Sequence, residues 1–181
     1  MRICRAQRED LMPWLDLTAE VEPLFGPMVD DPVFRRALSR NISRGTAYCI
    51  REEDGPAGSR LLAGLLLSPR PPVYRIGWLV VAKSHRRNGL GTALVEHVAR
   101  EISSPAELVV ITFGPGVRGG EPARRFYVRT GFAPAETVEP GPSGTPRQAF
   151  RRQIEGEASS AQALAVGARD ESPADRRALR T

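Results

Sequence analysis

The chain has 181 residues, 41% of them hydrophobic, and a formal net charge of +5. That length suits one domain, whose core can bury roughly 70% of the unfolded surface without a staple, and the absence of any apolar run of about 18 residues excludes a helical membrane span. The positive balance invites a nucleic-acid partner, but the basic residues are dispersed and, except for Lys83, all arginine, a poor match to a basic binding stripe.

In chain order, residues 2–6 alternate like a short strand, and a helix is predicted over residues 8–21 with Leu11, Trp14, Leu15 and Leu17 or Thr18 inward. Pro23 and the Gly26-Pro27 turn mark its end. A second helix starts at Asp31-Pro32, a capping residue followed by the ring that fits the first helical position, and runs to about Arg44. Residues 9–31 hold seven acids and no Lys or Arg. Such a stretch can be a solvated helix face. It can also edge a pocket that attracts a cationic amine, with Glu20, Glu22, Asp30 and Asp31 as its substrate-binding rim.

Residues 46–51 and 61–67 read as strands, joined through the turn residues Asp54, Gly55, Pro56 and Gly58, and the proline-rich residues 68–72 read as a link. Cys4 and Cys49 stand in apolar, strand-like contexts with no Cys-x-x-Cys and no Cys/His cluster, which fits buried free thiols better than a disulfide or a metal site. No metal is expected.

Residues 74–81 read as a buried strand with Tyr74, Ile76, Trp78 and Val80 on one face, and Leu90, Leu94, Val98 and Ile102 recur as the stripe of an amphipathic helix. Between them lies Arg86-Arg87-Asn88-Gly89-Leu90-Gly91, so the order is strand, glycine turn, helix. The first turn of a helix leaves four N–H groups unpaired and carries about half a positive charge, which makes it an anion site. Glycines let a phosphate approach the backbone, and arginines add forked donors. A pyrophosphate would suit this turn. A dinucleotide fingerprint would need a third glycine where Leu94 stands, and a P-loop needs Gly-Lys-Ser/Thr, so neither fits.

Past that helix, residues 107–113 form a strand buried on both faces and parallel to residues 74–81, in a right-handed βαβ unit. Residues 114–120 are a glycine-rich loop, and Pro122 opens a short helix that Gly131 caps ahead of Phe132. Pro134, Pro140, Pro142 and Pro146 then suggest a loop-rich insertion, and residues 147–154 alternate as a closing strand. Residues 1–154 therefore read as the domain, and residues 155–181, poor in large apolar side chains, as a low-complexity C-terminal tail, disordered or loosely helical.

The pattern Arg86-x-x-Gly89-x-Gly91, directly after a strand, resembles the acyl-CoA signature of the GNAT superfamily of N-acetyltransferases. Phe126-Tyr127-x-x-x-Gly131-Phe132 is similar to the same family's segment near the CoA thiol, and the resemblance covers about residues 74–132. It implies an α/β fold of the α+β mixed-sheet kind: about seven mostly antiparallel strands with a central parallel pair, flanked by about four helices. It implies acetyl-CoA as acetyl donor and CoA as product. Leu79, Val80 and Val81 would face the pantetheine arm, Arg86, Arg87, Asn88, Gly89, Leu90, Gly91 and Thr92 would surround the pyrophosphate, and Tyr127 would be the catalytic residue near the sulfur. Two departures stand out. Gly120 occupies the place where many members carry an asparagine that helps hold the cofactor, and the central strand offers no glutamate base, leaving Glu22 or Glu107 acting through water.

The leading expectation is acetyl transfer to a primary amine by direct attack on the thioester, the acceptor being a cationic small molecule or peptide. The expected setting is cytoplasmic, with no nucleic-acid or membrane partner, as monomer or homodimer. An alkyl amine with a pKa near 10.4 must lose a proton at a cost of about 4.6 kcal/mol at pH 7, and full proton transfer from an ordinary tyrosine to a thiolate is uphill by roughly 2 kcal/mol. Hydrogen bonding to the developing thiolate is then the main service a tyrosine can give. The missing base leaves a second reading open, a catalytically weak acyl-CoA-binding or regulatory module. A basic nucleic-acid binder is the third.

Overall fold

In the computed structural model the described residues are 1–141 and 144–155, and they form five α-helices around a seven-stranded mixed sheet. The elements are β1 (Ile3–Arg5), α1 (Leu11–Ala19), α2 (Glu22–Phe25), α3 (Pro32–Ser43), β2 (Ala47–Arg51), β3 (Leu61–Arg70), β4 (Val73–Val81), α4 (Leu90–Glu101), β5 (Ala106–Phe113), α5 (Glu121–Arg129), β6 (Ala133–Val138) and β7 (Arg147–Ile154). Strand order is β1-β2-β3-β4-β5-β7-β6, with β4 and β5 parallel and every other neighbouring pair antiparallel. The expected fold class holds. The tail expected from Glu155 onward lies outside the described residues apart from Glu155 itself.

Helices cover both faces. Leu90, Leu94, Val95 and Val98 of α4 pack with Tyr127 and Phe132 against Leu65, Ile76, Leu108 and Phe150, while Trp14, Leu15 and Leu17 of α1 and Phe34 and Leu38 of α3 pack on the opposite face against Cys49, Leu66 and Val80. Each fully buried Leu, Val or Phe contributes roughly 1.5–3 kcal/mol. Gly64 in β3 has a packing reason: a Cβ there would sit 2.8 Å from the Trp14 ring. The turn before α1 is anchored by Asp10, fully buried, which accepts from Arg51 Nε at 2.9 Å and Nη2 at 2.7 Å and from the N–H groups of Gln7 at 2.7 Å and Gly58 at 2.9 Å. Burial alone would raise its pKa, but Arg51 and the two amides outweigh that and hold it below the ordinary carboxylate value.

Three sequence expectations change. Residues 68–72 are not a link: β3 runs to Arg70 and pairs with Val73, so only Pro71 and Pro72 form the turn. Residues 133–138, expected as loop, form β6, which tolerates Pro134 because it is an edge strand. The third change bears on function. Tyr74 and Ile76 face α4, but Trp78 and Val80 face α1 and α3, and it is Leu79 and Val81 that turn toward α4. The register explains the flip, because Leu67 pairs with Ile76 while Leu66 pairs with Trp78, leaving Gly77 as an extra residue. A bulge shifts the two-residue alternation by one and bends the strand.

Candidate active site

Parallel pairing between β4 and β5 covers only Val73↔Glu107 to Ile76↔Val110. Past the Gly77 bulge, residues 78–81 keep their β3 partners while β5 continues with β7, so the two strands part. The peptide groups of β4 that point away from β3 are left facing the opening. One is already in use, since Arg86 Nε donates to the Val81 carbonyl at 3.2 Å.

A cavity of about 570 Å³ fills this opening, within the range of ligand pockets, roughly 300–1,000 Å³. Of the residues expected to hold a cofactor, Leu79, Val80, Val81, Arg86, Arg87, Gly89, Leu90, Gly91 and Thr92 line it, and Asn88 does not. Gly89 caps α4 at φ +78° and Arg87 has φ +66°, so the turn places two left-handed residues just ahead of the helix. No side chain caps α4, which leaves its first N–H groups open, and a Cβ on Gly89 would meet nothing within 4 Å. Gly91 serves differently: a Cβ there would press on Phe126 at 3.2 Å, so its smallness brings α4 and α5 together.

These features fit a ligand that carries a pyrophosphate on an extended arm. The open space at Gly89, the unpaired N–H groups and the guanidinium groups of Arg86 and Arg87 suit a pyrophosphate. Leu79, Val81, Pro122, Ala123 and Phe126 give an apolar trough for an extended arm.

Tyr127 lines the same cavity from α5, its ring nested against Phe126, Phe132 and Phe150 with centroids at 5.1, 5.5 and 6.2 Å. Among the described residues its hydroxyl has no hydrogen-bond partner. Burial pushes the phenol well above its ordinary pKa, so the group stays protonated and able to donate.

Gly120 has a steric reason. A Cβ there would fall 2.4 Å from the Phe113 Cβ, so Phe113 fills the space a longer side chain would need. Arg124 Nη1 holds this corner by donating to the Phe113 carbonyl at 3.0 Å.

The acid-only stretch is used elsewhere. Glu22 Oε1 accepts from the N–H groups of Met28 and Val29 at 2.7 Å each, stapling the loop after α2, and those amides hold its pKa down. Asp31 caps α3 by accepting from the Val33 N–H, Glu20 accepts from the Lys83 N–H, and Asp30 lies 3.7 Å from Arg35. Among the described residues none of these four lines the cavity; Glu20 instead borders a smaller crevice of about 330 Å³ with Asp16 and Arg60. Glu107 accepts from Arg151 and Gln153 at the far end of β5, six residues or about 20 Å from Phe113. In place of acids, the wall opposite β4 carries Val21, Leu24, Phe25 and Phe113, none of which stood out in the sequence as a site residue.

No helix among the described residues is long and apolar enough to cross a membrane, and no group of three or more His, Cys, Asp or Glu side chains there is placed to hold a metal. Cys4 and Cys49 are free, facing each other across β1 and β2 with sulfurs 3.7 Å apart.

No curated protein matches the chain significantly. Among solved structures, a GNAT-family protein of Desulfovibrio desulfuricans aligns over 84% of this chain and 98% of its own at 21% identity and TM-score 0.69. The ribosomal-protein-S18-alanine N-acetyltransferase of Escherichia coli aligns over 86% and 96% at 17% identity and TM-score 0.63. An aminoglycoside 6'-N-acetyltransferase complexed with coenzyme A aligns over 87% and 99% at 15% identity and TM-score 0.63. At these identities the likeness is one of fold. The sequence model of the acetyltransferase (GNAT) family matches residues 10–132, well over half of the chain, and the protein belongs to that family.

Proposed function

We propose that the protein transfers an acetyl group from acetyl-CoA to a primary amine, with Tyr127 as the hydrogen-bond donor to the departing sulfur. The observation that carries this reading is the continuity of one cavity wall, which runs from the open glycine turn ahead of α4, along Leu79 and Val81, to a buried phenol with a free hydroxyl. Residues 86–92 would hold the phosphates and the bent end of β4 the arm. Bound acetyl-CoA supplies an acyl thioester, on which the amine nitrogen forms a bond to the acyl carbon as the carbon–sulfur bond breaks and the amine's proton is carried off with the released thiol.

The raised pKa of Tyr127 makes full proton donation harder than for an ordinary phenol, so its role is to hold a neutral donor in a fixed place. Among the described residues the cavity wall supplies no base. Glu22 is weakened by its two amide donors, and Glu107 is paired at the wrong end of β5. Deprotonation of the amine therefore falls to solvent at the cavity mouth and to the arginine-rimmed, apolar interior, which favours the neutral form. The acceptor expected from the acid-only stretch, a cationic small molecule or peptide, finds no carboxylate on this wall among the described residues. The same lack of a base is what favours the second reading, an acyl-CoA-binding module with little turnover.

Thiol release from acetyl-CoA across a panel of amines separates the two, since a binding module releases none above the amine-free rate. Tyr127→Phe keeps the ring packing and deletes the donor, so kcat should fall by roughly 10²-fold with acetyl-CoA affinity unchanged. A kcat within twofold of the parent would make the tyrosine a packing residue.

A further inference from the structure

The wall facing β4 and α4 differs in chemistry from the rest of the cavity. Phe25 of α2 stacks on Phe113 at the end of β5, with ring centroids 5.1 Å apart and planes at 26°. Gly120 shapes this pair by letting Phe113 lie against the start of that helix, and Leu24 packs over the neighbouring Gly119. Phe25 remains 52% exposed and Leu24 48% exposed, although both line the cavity. Large apolar side chains facing a reaction cavity, rather than packed in a core, are available to a substrate body.

The charges point the same way. Among the described residues those facing the cavity are Arg86 and Arg87 from the turn and Arg129 from α5, with Tyr127 neutral beside them and no charged residue of α2 or β5 in the lining. A polycation would meet arginines and no carboxylate. An amine that needs a base would find none. At pH 7 about one alkyl amine in 2,500 is neutral, against about one in seven for an α-amino group, a difference of about 300-fold in reactive species.

We infer that the acceptor is a weakly basic primary amine of the α-amino kind, carried next to an aromatic or large apolar group that packs on Phe25 and Phe113. The inference rests on the acetyl-transfer reading of this cavity. The transfer itself needs no further reactant: the neutral nitrogen takes the acyl group, and its surplus proton balances the released thiol.

Four probes at saturating acetyl-CoA test it: phenylalaninamide, alaninamide, phenethylamine and spermidine. Phenylalaninamide should exceed alaninamide in kcat/KM by at least tenfold through the ring, and exceed phenethylamine by about 10²-fold at pH 7, a gap that narrows as pH rises through 8 to 10. Spermidine should be poor. Phe25→Ala, at a half-exposed position, should collapse the phenylalaninamide to alaninamide ratio to within about threefold, and calorimetry of phenylalaninamide on the CoA-bound protein should show the same loss in binding. If amines are acetylated but spermidine is preferred, or the ratio survives Phe25→Ala, this inference fails while acetyl transfer stands. If no amine releases thiol although CoA binds, the acetyl-transfer reading falls, and the acceptor inference with it.

Discussion

The two walls of the cavity are built by different means. The β4–α4 wall is mostly backbone and glycine: a bulge at Gly77 that bends a strand away from its neighbour, a left-handed turn, and the open end of a helix. The facing wall is side chains, Leu24 and Phe25 of the four-residue α2 and Phe113 at the end of β5, with room left for them by the two glycines before α5. The first kind can be written within some fifteen consecutive residues. The second exists only when distant segments meet, and so it can change its chemistry without touching the glycine turn.

If the side-chain wall hangs from α1, loosening that helix should harm it most. Asp10→Ala leaves Arg51 buried without its partner and should cost about 3–5 kcal/mol of unfolding free energy, measured by urea titration. Because the Asp10 pKa is depressed in the folded state, its contribution is fully present above the ordinary carboxylate value and lost as pH falls through the folded one. The gap between parent and Asp10→Ala should therefore be widest near neutral pH and shrink in acid below about pH 4. A gap that stays constant down to pH 2 would mean that packing, not the ion pair, anchors α1.

Gly120→Ala strikes the same wall more locally. Its methyl group cannot fit 2.4 Å from the Phe113 Cβ, so Phe113 must shift, at about 1–3 kcal/mol of stability. The acceptor KM should rise severalfold while acetyl-CoA affinity holds. The reverse pattern would place Phe113 on the donor side. For the opposite wall, Gly89→Asp should weaken acetyl-CoA binding at least tenfold by calorimetry, with Gly89→Asn as the uncharged control. Both side chains tolerate left-handed backbone, so their difference isolates charge from strain.

The same contrast explains what the sequence made legible. The strand, turn and helix around Gly89 are local patterns, and so is the Phe126-Tyr127 to Gly131-Phe132 segment; both lie where the fold puts them at one cavity. The face of Trp78 and Val80 was misjudged because a bulge depends on the partner strand, which a two-residue alternation cannot show. Strand β6 was missed because Pro134 argues against a strand unless its edge position is known. Glu22 and Asp31 looked available for a substrate because a carboxylate that staples a loop or caps a helix has the same sequence signature as a free one. Phe25 and Phe113 lie 88 positions apart, and no spacing rule joins them.

Salt offers the mildest way to tell the walls apart. Raising ionic strength from about 0.1 to 1 M shortens the screening length from about 10 to about 3 Å, which weakens attraction between exposed charges and leaves apolar contact intact. On the donor side, Arg86 and Arg87 would be attracting phosphates, so the KM for acetyl-CoA should rise a few-fold across that range. On the acceptor side, Phe25 and Phe113 carry no charge and Glu22 of α2 is tied to two backbone amides, so the KM for an apolar α-amine should change by less than about twofold. It could even fall, since salt strengthens apolar association while it masks the arginines that repel an ammonium group. An acceptor KM that climbs with salt as steeply as that of acetyl-CoA would mean that carboxylates such as the half-buried Glu20 or the exposed Asp30 steer the amine inward after all. The facing wall would then have to be read by its charges rather than by its rings.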